Sequence, residues 1–100
     1  MKYKVIENDR GTFWYRKGRF HRKDGPAIIM VNGDTYWYRK DKLHRKGGPA
    51  LYLADNTMAY YRKGWLHNTK GPAIEYPDGD EEYCIKGRRL TKYEFKEATK

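Results

Sequence analysis

The chain has 100 residues, a net charge of +9 and a mean hydropathy of −1.13, with 38% hydrophobic and 16% aromatic residues. That length suits one domain with a modest core, and its lone cysteine, Cys84, excludes an internal disulfide framework or a multi-cysteine zinc site. The longest apolar run, Ala27 to Val31, is far too short to cross a bilayer, and the stretch from Met1 to Glu7 lacks the apolar core of a signal peptide. The expectation is therefore a soluble, cytoplasmic chain.

In chain order, residues 3–13 read as a half-repeat. Three full repeats follow, 14–36, 37–59 and 60–82, then a partial repeat, 83–90. The period is 23 residues: Trp14-Tyr15-Arg16-Lys17 recurs as Trp37-Tyr38-Arg39-Lys40 and as Tyr60-Tyr61-Arg62-Lys63. The first two full repeats share ten of 23 residues without a gap, and the second and third share nine. His21, His44 and His67 occupy one column, and Gly25-Pro26-Ala27, Gly48-Pro49-Ala50 and Gly71-Pro72-Ala73 another. Fixed-period similarity of this kind marks a stacked array of one supersecondary unit.

Each unit reads as two strands and two turns. After Gly-Pro comes an apolar strand such as Ala27–Val31. Asn32-Gly33 then predicts a two-residue type I′ hairpin, with Asp55-Asn56 and Asp78-Gly79 at the equivalent places. An aromatic strand follows, then a second turn at Lys17-Gly18, Lys40-Asp41, Lys63-Gly64 and Lys86-Gly87. Two-residue loops at the first set of turns would place Ile28 opposite Trp37, Leu51 opposite Tyr60 and Ile74 opposite Tyr83, and the same reading pairs Val5 with Trp14. That column would be the buried stripe, with Trp14 and Trp37 in the core. The other face would carry Ile6, Phe13, Ile29, Tyr36 and Tyr52. At the C-terminus, Thr91 followed by Glu94 forms a capping box, and Leu90 and Phe95 occupy staple positions. A capping helix is predicted within 91–99. The fold class is thus all-β: an elongated antiparallel meander of 23-residue hairpin repeats, 1–100 in one domain, capped by a short helix.

The motif Tyr36-Trp37-Tyr38-Arg39-Lys40, then Leu43-His44, Gly48 and Asp55, resembles the MORN repeat over residues 3–90. Typical MORN repeats carry a glycine between the tyrosine and the tryptophan-containing position, which this chain lacks. The recurring element Leu43 to Ala50 looks more like a variant found in phage, viral and bacterial proteins. The resemblance implies an elongated hairpin sheet and a scaffold or binding role without catalytic residues.

The histidine column invites a metal site, but equivalent residues one repeat apart lie roughly 10 Å from each other. Zinc ligands approach to about 2 Å of the ion, so the expectation is no metal, with each histidine bonding its own Gly-Pro loop. No catalytic set is expected. The chain has no serine and no phosphate-binding loop, and Cys84 has no histidine in its repeat.

The charges collect on one long edge: Arg16, Lys17, Arg22, Lys23, Arg39, Lys40, Arg45, Lys46, Arg62 and Lys63. Residues 1–50 hold 13 basic and 5 acidic residues, against 9 and 8 in residues 51–100. Such an edge serves either as a footprint for an anionic partner or as protection against edge pairing. The face with Ile6, Phe13, Ile29, Tyr36 and Tyr52 is a candidate protein-binding patch. The sequence therefore reads as a non-catalytic binding module without cofactors, encoded by a phage. It would dock in the host cytoplasm on an acidic host protein or nucleoprotein complex, such as a defence nuclease, and inhibit or modulate it. Nucleic-acid binding through the basic edge is the alternative, and lipid-surface binding ranks third, with a membrane the least favoured partner. A homodimer through the apolar patch is a further expectation.

Overall fold

The computed structural model describes residues 2–100; Met1, part of the expected domain and N-terminal reading, lies outside the described residues. The strands are β1 (Lys4–Asn8), β2 (Gly11–Arg16), β3 (Arg19–Phe20), β4 (Ile28–Met30), β5 (Thr35–Tyr36), β6 (Tyr38–Arg39) and β7 (Lys42–Leu43). They continue with β8 (Leu51–Tyr52), β9 (Met58–Ala59), β10 (Tyr61–Arg62), β11 (Trp65–Leu66), β12 (Ile74–Glu75), β13 (Glu81–Ile85) and β14 (Arg88–Leu90), and end in helix α1 (Lys92–Ala98). The predicted all-β meander of hairpins with a C-terminal helix is what forms. Its extents are 44 × 28 × 17 Å. The radius of gyration of 14.7 Å exceeds the about 13 Å of a compact chain of this length.

The hairpins form two rows. One is a continuous antiparallel sheet in which β1, β2, β4, β5, β8, β9, β12 and β13 are neighbours in that order. The other is a file of short hairpins, β2–β3, β6–β7, β10–β11 and β13–β14. Backbone bonds join this second file: Arg22 N–H to Tyr38 C=O, Arg45 N–H to Tyr61 C=O, and Asn68 N–H to Cys84 C=O. Trp14, Trp37 and Tyr60 sit where the chain passes between the rows. Each donates its N–H to Ala27, Ala50 or Ala73, and accepts from His21, His44 or His67.

The turns fall where expected, but those at the Asn-Gly positions differ in type. At the Asn-Gly positions the loops have three residues, closed by Gly33 N–H to Met30 C=O and Met30 N–H to Asp34 C=O, and likewise at Asn56 and Gly79. Only the last loop residue is left-handed: Gly33 at φ 101°, Asn56 at 78° and Gly79 at 94°. This is a type I turn with a following bulge, not the predicted type I′ turn, which needs positive φ at both central residues. The type I′ signature lies at the Lys-Gly turns, with φ 51° and 76° at Lys17 and Gly18, and 52° and 86° at Lys63 and Gly64.

The extra loop residue moves the register by one. Ile28 faces Tyr36 rather than Trp37, and Leu51 faces Ala59 rather than Tyr60. Ile74 faces Glu82 rather than Tyr83, whereas Val5 does face Trp14. A one-residue slip exchanges faces. The buried column therefore runs Phe13, Ile28, Tyr36, Leu51, Ala59, Ile74. The core is thin: Ala27, Ala50 and Ala73 are fully buried, Ile28, Ala59, Cys84 and Phe95 nearly so, and among the described residues no large side chain is wholly enclosed. On the second row, rings of Tyr15, Phe20 and Tyr38 stack in succession at 4.8 and 5.4 Å.

Helix α1 carries the predicted capping box, with the Thr91 hydroxyl accepting from Glu94 N–H and the Glu94 carboxylate accepting from Thr91 N–H. Phe95 packs on Tyr83 at 4.7 Å and closes the last hairpin.

Candidate functional site: a basic two-column surface

The type I′ turns of the second row bring the residues on either side of each turn directly opposite one another. The pairs are Arg16 with Arg19, Arg39 with Lys42, Arg62 with Trp65, and Ile85 with Arg88. They form two parallel columns on one face, flanked by the turn lysines Lys17, Lys40, Lys63 and Lys86. Like charges directly opposite in a hairpin are destabilising. Yet neither Arg16–Arg19 nor Arg39–Lys42 forms an ion pair: the carboxylate of Asp41, in the turn between Arg39 and Lys42, accepts instead from the Phe20 N–H at 2.7 Å. Among the described residues the ion pairs join Arg89 to Glu82 and Lys100 to Glu97, at the other end of the chain.

Two grooves follow the repeat. One, of about 490 Å³, is lined by Arg19, Arg39, Lys40, Lys42, Lys46 and Lys63 beside His44. The next, of about 450 Å³, is lined by Lys42, Arg62, Lys63, Trp65 and Lys86 beside His67. Neither has an Asp or Glu in its wall. Trp65 is 58% exposed, and its ring lies against Gly87, where a Cβ would sit 3.4 Å from a ring carbon.

Not every residue of the predicted basic edge belongs to this surface. The Arg22 guanidinium lies 3.8 Å above the Trp14 ring and donates to Pro26 C=O; Arg45 lies 3.9 Å above Trp37 and donates to Pro49 C=O. Gly25 and Gly48 make room for them, since a Cβ there would sit 2.8 and 2.7 Å from the guanidinium carbon. These two arginines are internal braces, and the tryptophans are covered by guanidinium rather than by aliphatic core. In the third repeat the brace is missing. Asn68 only reaches Pro72 C=O, Tyr60 replaces tryptophan, and a cleft of about 510 Å³ opens between Arg45, Arg62, Lys70 and Glu75. Lys23 lies in an exposed loop and donates its backbone N–H to the Tyr3 hydroxyl.

The histidines do not bond their own Gly-Pro loops. Each reaches the following repeat: His21 Nδ1 accepts from Lys40 N–H at 3.1 Å, His44 from Lys63 and His67 from Lys86, both at 2.9 Å. Burial, then the neighbouring cations, lowers the pKa of all three: Arg39 beside His21, Arg39 and Arg62 beside His44, Arg62 and Lys86 beside His67. Among the described residues no three His, Cys, Asp or Glu side chains gather into a metal-holding group.

The predicted apolar patch is divided between two faces. Ile6, Phe13 and Tyr36 share the face of the buried column, whereas Ile29 lies opposite Thr35, and Thr35 opposite Tyr52, on the other. The reason is again the three-residue loop, which shifts β5 by one position against β4. Arg19, Lys42 and Trp65 were not among the predicted site residues. The signal for them was the Lys-Gly turn, because a two-residue loop places its flanking residues face to face.

No protein-family model, curated protein or solved structure matches the chain.

Proposed function

We propose that this chain is a non-catalytic, MORN-like binding module whose working surface is the two-column basic face, and whose ligand is the phosphate backbone of a nucleic acid. The supporting observation is the pair of cross-strand like-charge registers, Arg16–Arg19 and Arg39–Lys42, beside a groove with no carboxylate in its lining, the nearby Asp41 carboxylate being taken up by the Phe20 N–H. Solubility and edge protection need charge, but they do not need cations opposite cations, which cost stability. A polyanion laid across the columns would relieve that repulsion and release its counterions. The repeat offers the same groove again one hairpin further on, which suits a ligand whose charge is itself periodic.

The experiment is a salt titration with a labelled oligonucleotide. Log affinity should fall linearly with log salt, and Arg16→Glu, Arg39→Glu and Lys40→Glu together should abolish binding, whereas Arg22→Gln should not. Absence of binding at low salt removes the reading.

A second reading, docking of a phage-encoded protein on a host protein, is favoured by the exposed Val5, Ile29 and Tyr52. Substituting Ile29 and Tyr52 with polar residues would then matter more than changing the basic columns.

A further inference from the structure

We infer that Trp65 is a base-stacking platform, and that the nucleic acid this surface takes is single-stranded. The inference rests on the reading of the basic face as a phosphate-binding surface. It begins with the repeat. In the column Arg19, Lys42, Trp65, Arg88 a flat aromatic ring stands where the other three hairpins place a cation. Lysine fills the same place one hairpin earlier, its stem lying over Gly64 as the indole lies over Gly87, so this packing can be met without an aromatic ring.

The ring has cations on several sides: Arg62 directly opposite across the hairpin, and Lys42, Lys63 and Lys86 around the same groove. One side of the indole rests on Gly87, and more than half of the residue stays in solvent. A ring held at its back, open at its front and bordered by cations has the composition of a single-strand site, where backbone charge is met by Lys and Arg while bases stack on aromatic side chains. In a duplex the base faces are stacked on one another and out of reach of such a ring. A duplex could meet the cations through its phosphates, but it would leave the ring unused. Stacking uses the π-face that every base has, so the site would be tolerant of sequence.

The test is binding at low salt of a labelled dT12 strand, of an abasic strand of the same length and of a 12-base-pair duplex, with Trp65→Ala, Trp65→Phe and Trp65→Lys. The wild type should prefer dT12 to the abasic strand. Trp65→Ala should weaken dT12 roughly tenfold to a hundredfold and leave the abasic strand unchanged, and Trp65→Phe should keep most of the affinity. Trp65→Lys completes the cationic column, so it should strengthen the abasic strand and weaken dT12. Equal loss on both strands with Trp65→Ala, dT12 binding by Trp65→Lys as tight as wild type, or preference for the duplex overturns the stacking site while leaving the basic surface standing. Failure of both strands to bind at low salt, including the case in which only an acidic polypeptide such as polyglutamate is bound, overturns both.

Discussion

His21 Nδ1 accepts the backbone N–H of Lys40 at 3.1 Å, nineteen residues further along the chain. Lys40 is the first left-handed residue of a type I′ turn, and its amide points away from its own hairpin. The preceding repeat supplies the acceptor, and it also supplies Phe20 C=O for the next amide, that of Asp41. His44 and His67 repeat the arrangement at Lys63 and Lys86. The histidine column is thus a set of straps between repeats. His21 is the most deeply buried of the three, so His21→Ala should cost about 1–3 kcal/mol, the penalty for a part-buried amide left without its partner. For a domain of this size that lowers the melting temperature by roughly 4–8 °C per kcal/mol. An unchanged thermal melt followed by circular dichroism would refute the strap.

The straps make stability depend on pH. Nδ1 can accept only in neutral imidazole, and burial and the nearby arginines and lysines hold the folded-state pKa of all three histidines below the ordinary value. The unfolded chain titrates near about 6.5, so on acidification it takes up protons before the folded chain does. Stability should be complete above about pH 6.5 and fall progressively as the pH drops below it, until the folded histidines are protonated too. Asp55 and Glu94, whose carboxyls are held low by the backbone amides of Thr57 and Thr91, add their loss only nearer about pH 4. Urea midpoints at pH 8 and pH 5 measure the histidine part. Equal midpoints would contradict it.

Arg45 braces; Arg39 is available to bind. Gly48→Ala drives a methyl group into the guanidinium of Arg45, which must leave the Trp37 face. Both Gly48→Ala and Arg45→Ala should lower stability by about 1 kcal/mol, the scale of a partly desolvated cation–π contact with its hydrogen bond. Oligonucleotide affinity, measured well below the melting temperature, should change less than twofold. Arg39→Glu should do the reverse. The same ranking of the two arginines in both assays would erase the distinction.

Arg19→Glu replaces a like-charge pair with an opposite one across the hairpin from Arg16. The melting temperature should rise by about 2–5 °C while nucleic-acid affinity falls. A variant that loses both stability and affinity would show that the column is arranged for folding rather than for a ligand.

The third repeat lacks the brace that the first two have. Restoring it with Asn68→Arg and Tyr60→Trp together should fill the cleft beside Arg45 and raise stability by about 0.5–1 kcal/mol. Each single change should do less, because the guanidinium and the indole need each other. A double-mutant cycle with no coupling would show that the cleft does not accept the stack.

Much of the architecture was legible in the residues. The 23-residue period, the alternation of turns, the capping box at Thr91 and Glu94, and the concentration of charge at the Lys-Gly turns are local patterns, and local chemistry decides them. The site was legible only in part. The run of Arg-Lys pairs pointed to one edge, but it put Arg22 and Arg45 with the others and passed over Arg19, Lys42 and Trp65. Whether a cation meets solvent or a tryptophan face depends on the loop that folds back over it: Arg22 and Arg45 each stand eight residues after a tryptophan and three before a glycine, a spacing whose meaning shows only once the loop is closed.

By itself, then, the sequence determined a repeating antiparallel hairpin array with a capped end and a basic edge, because periodicity, turn chemistry and charge are properties of neighbouring residues. Tertiary structure decided which face each side chain took. Asn32-Gly33 closes a three-residue rather than a two-residue loop, and in a strand of period two that single residue carries Ile29 and Tyr52 to the face opposite Phe13 and Tyr36. It also decided that the histidines bond forward into the next repeat. The amides they satisfy are unpaired within their own turns, and stacking of one hairpin on the next is what brings donor and acceptor together.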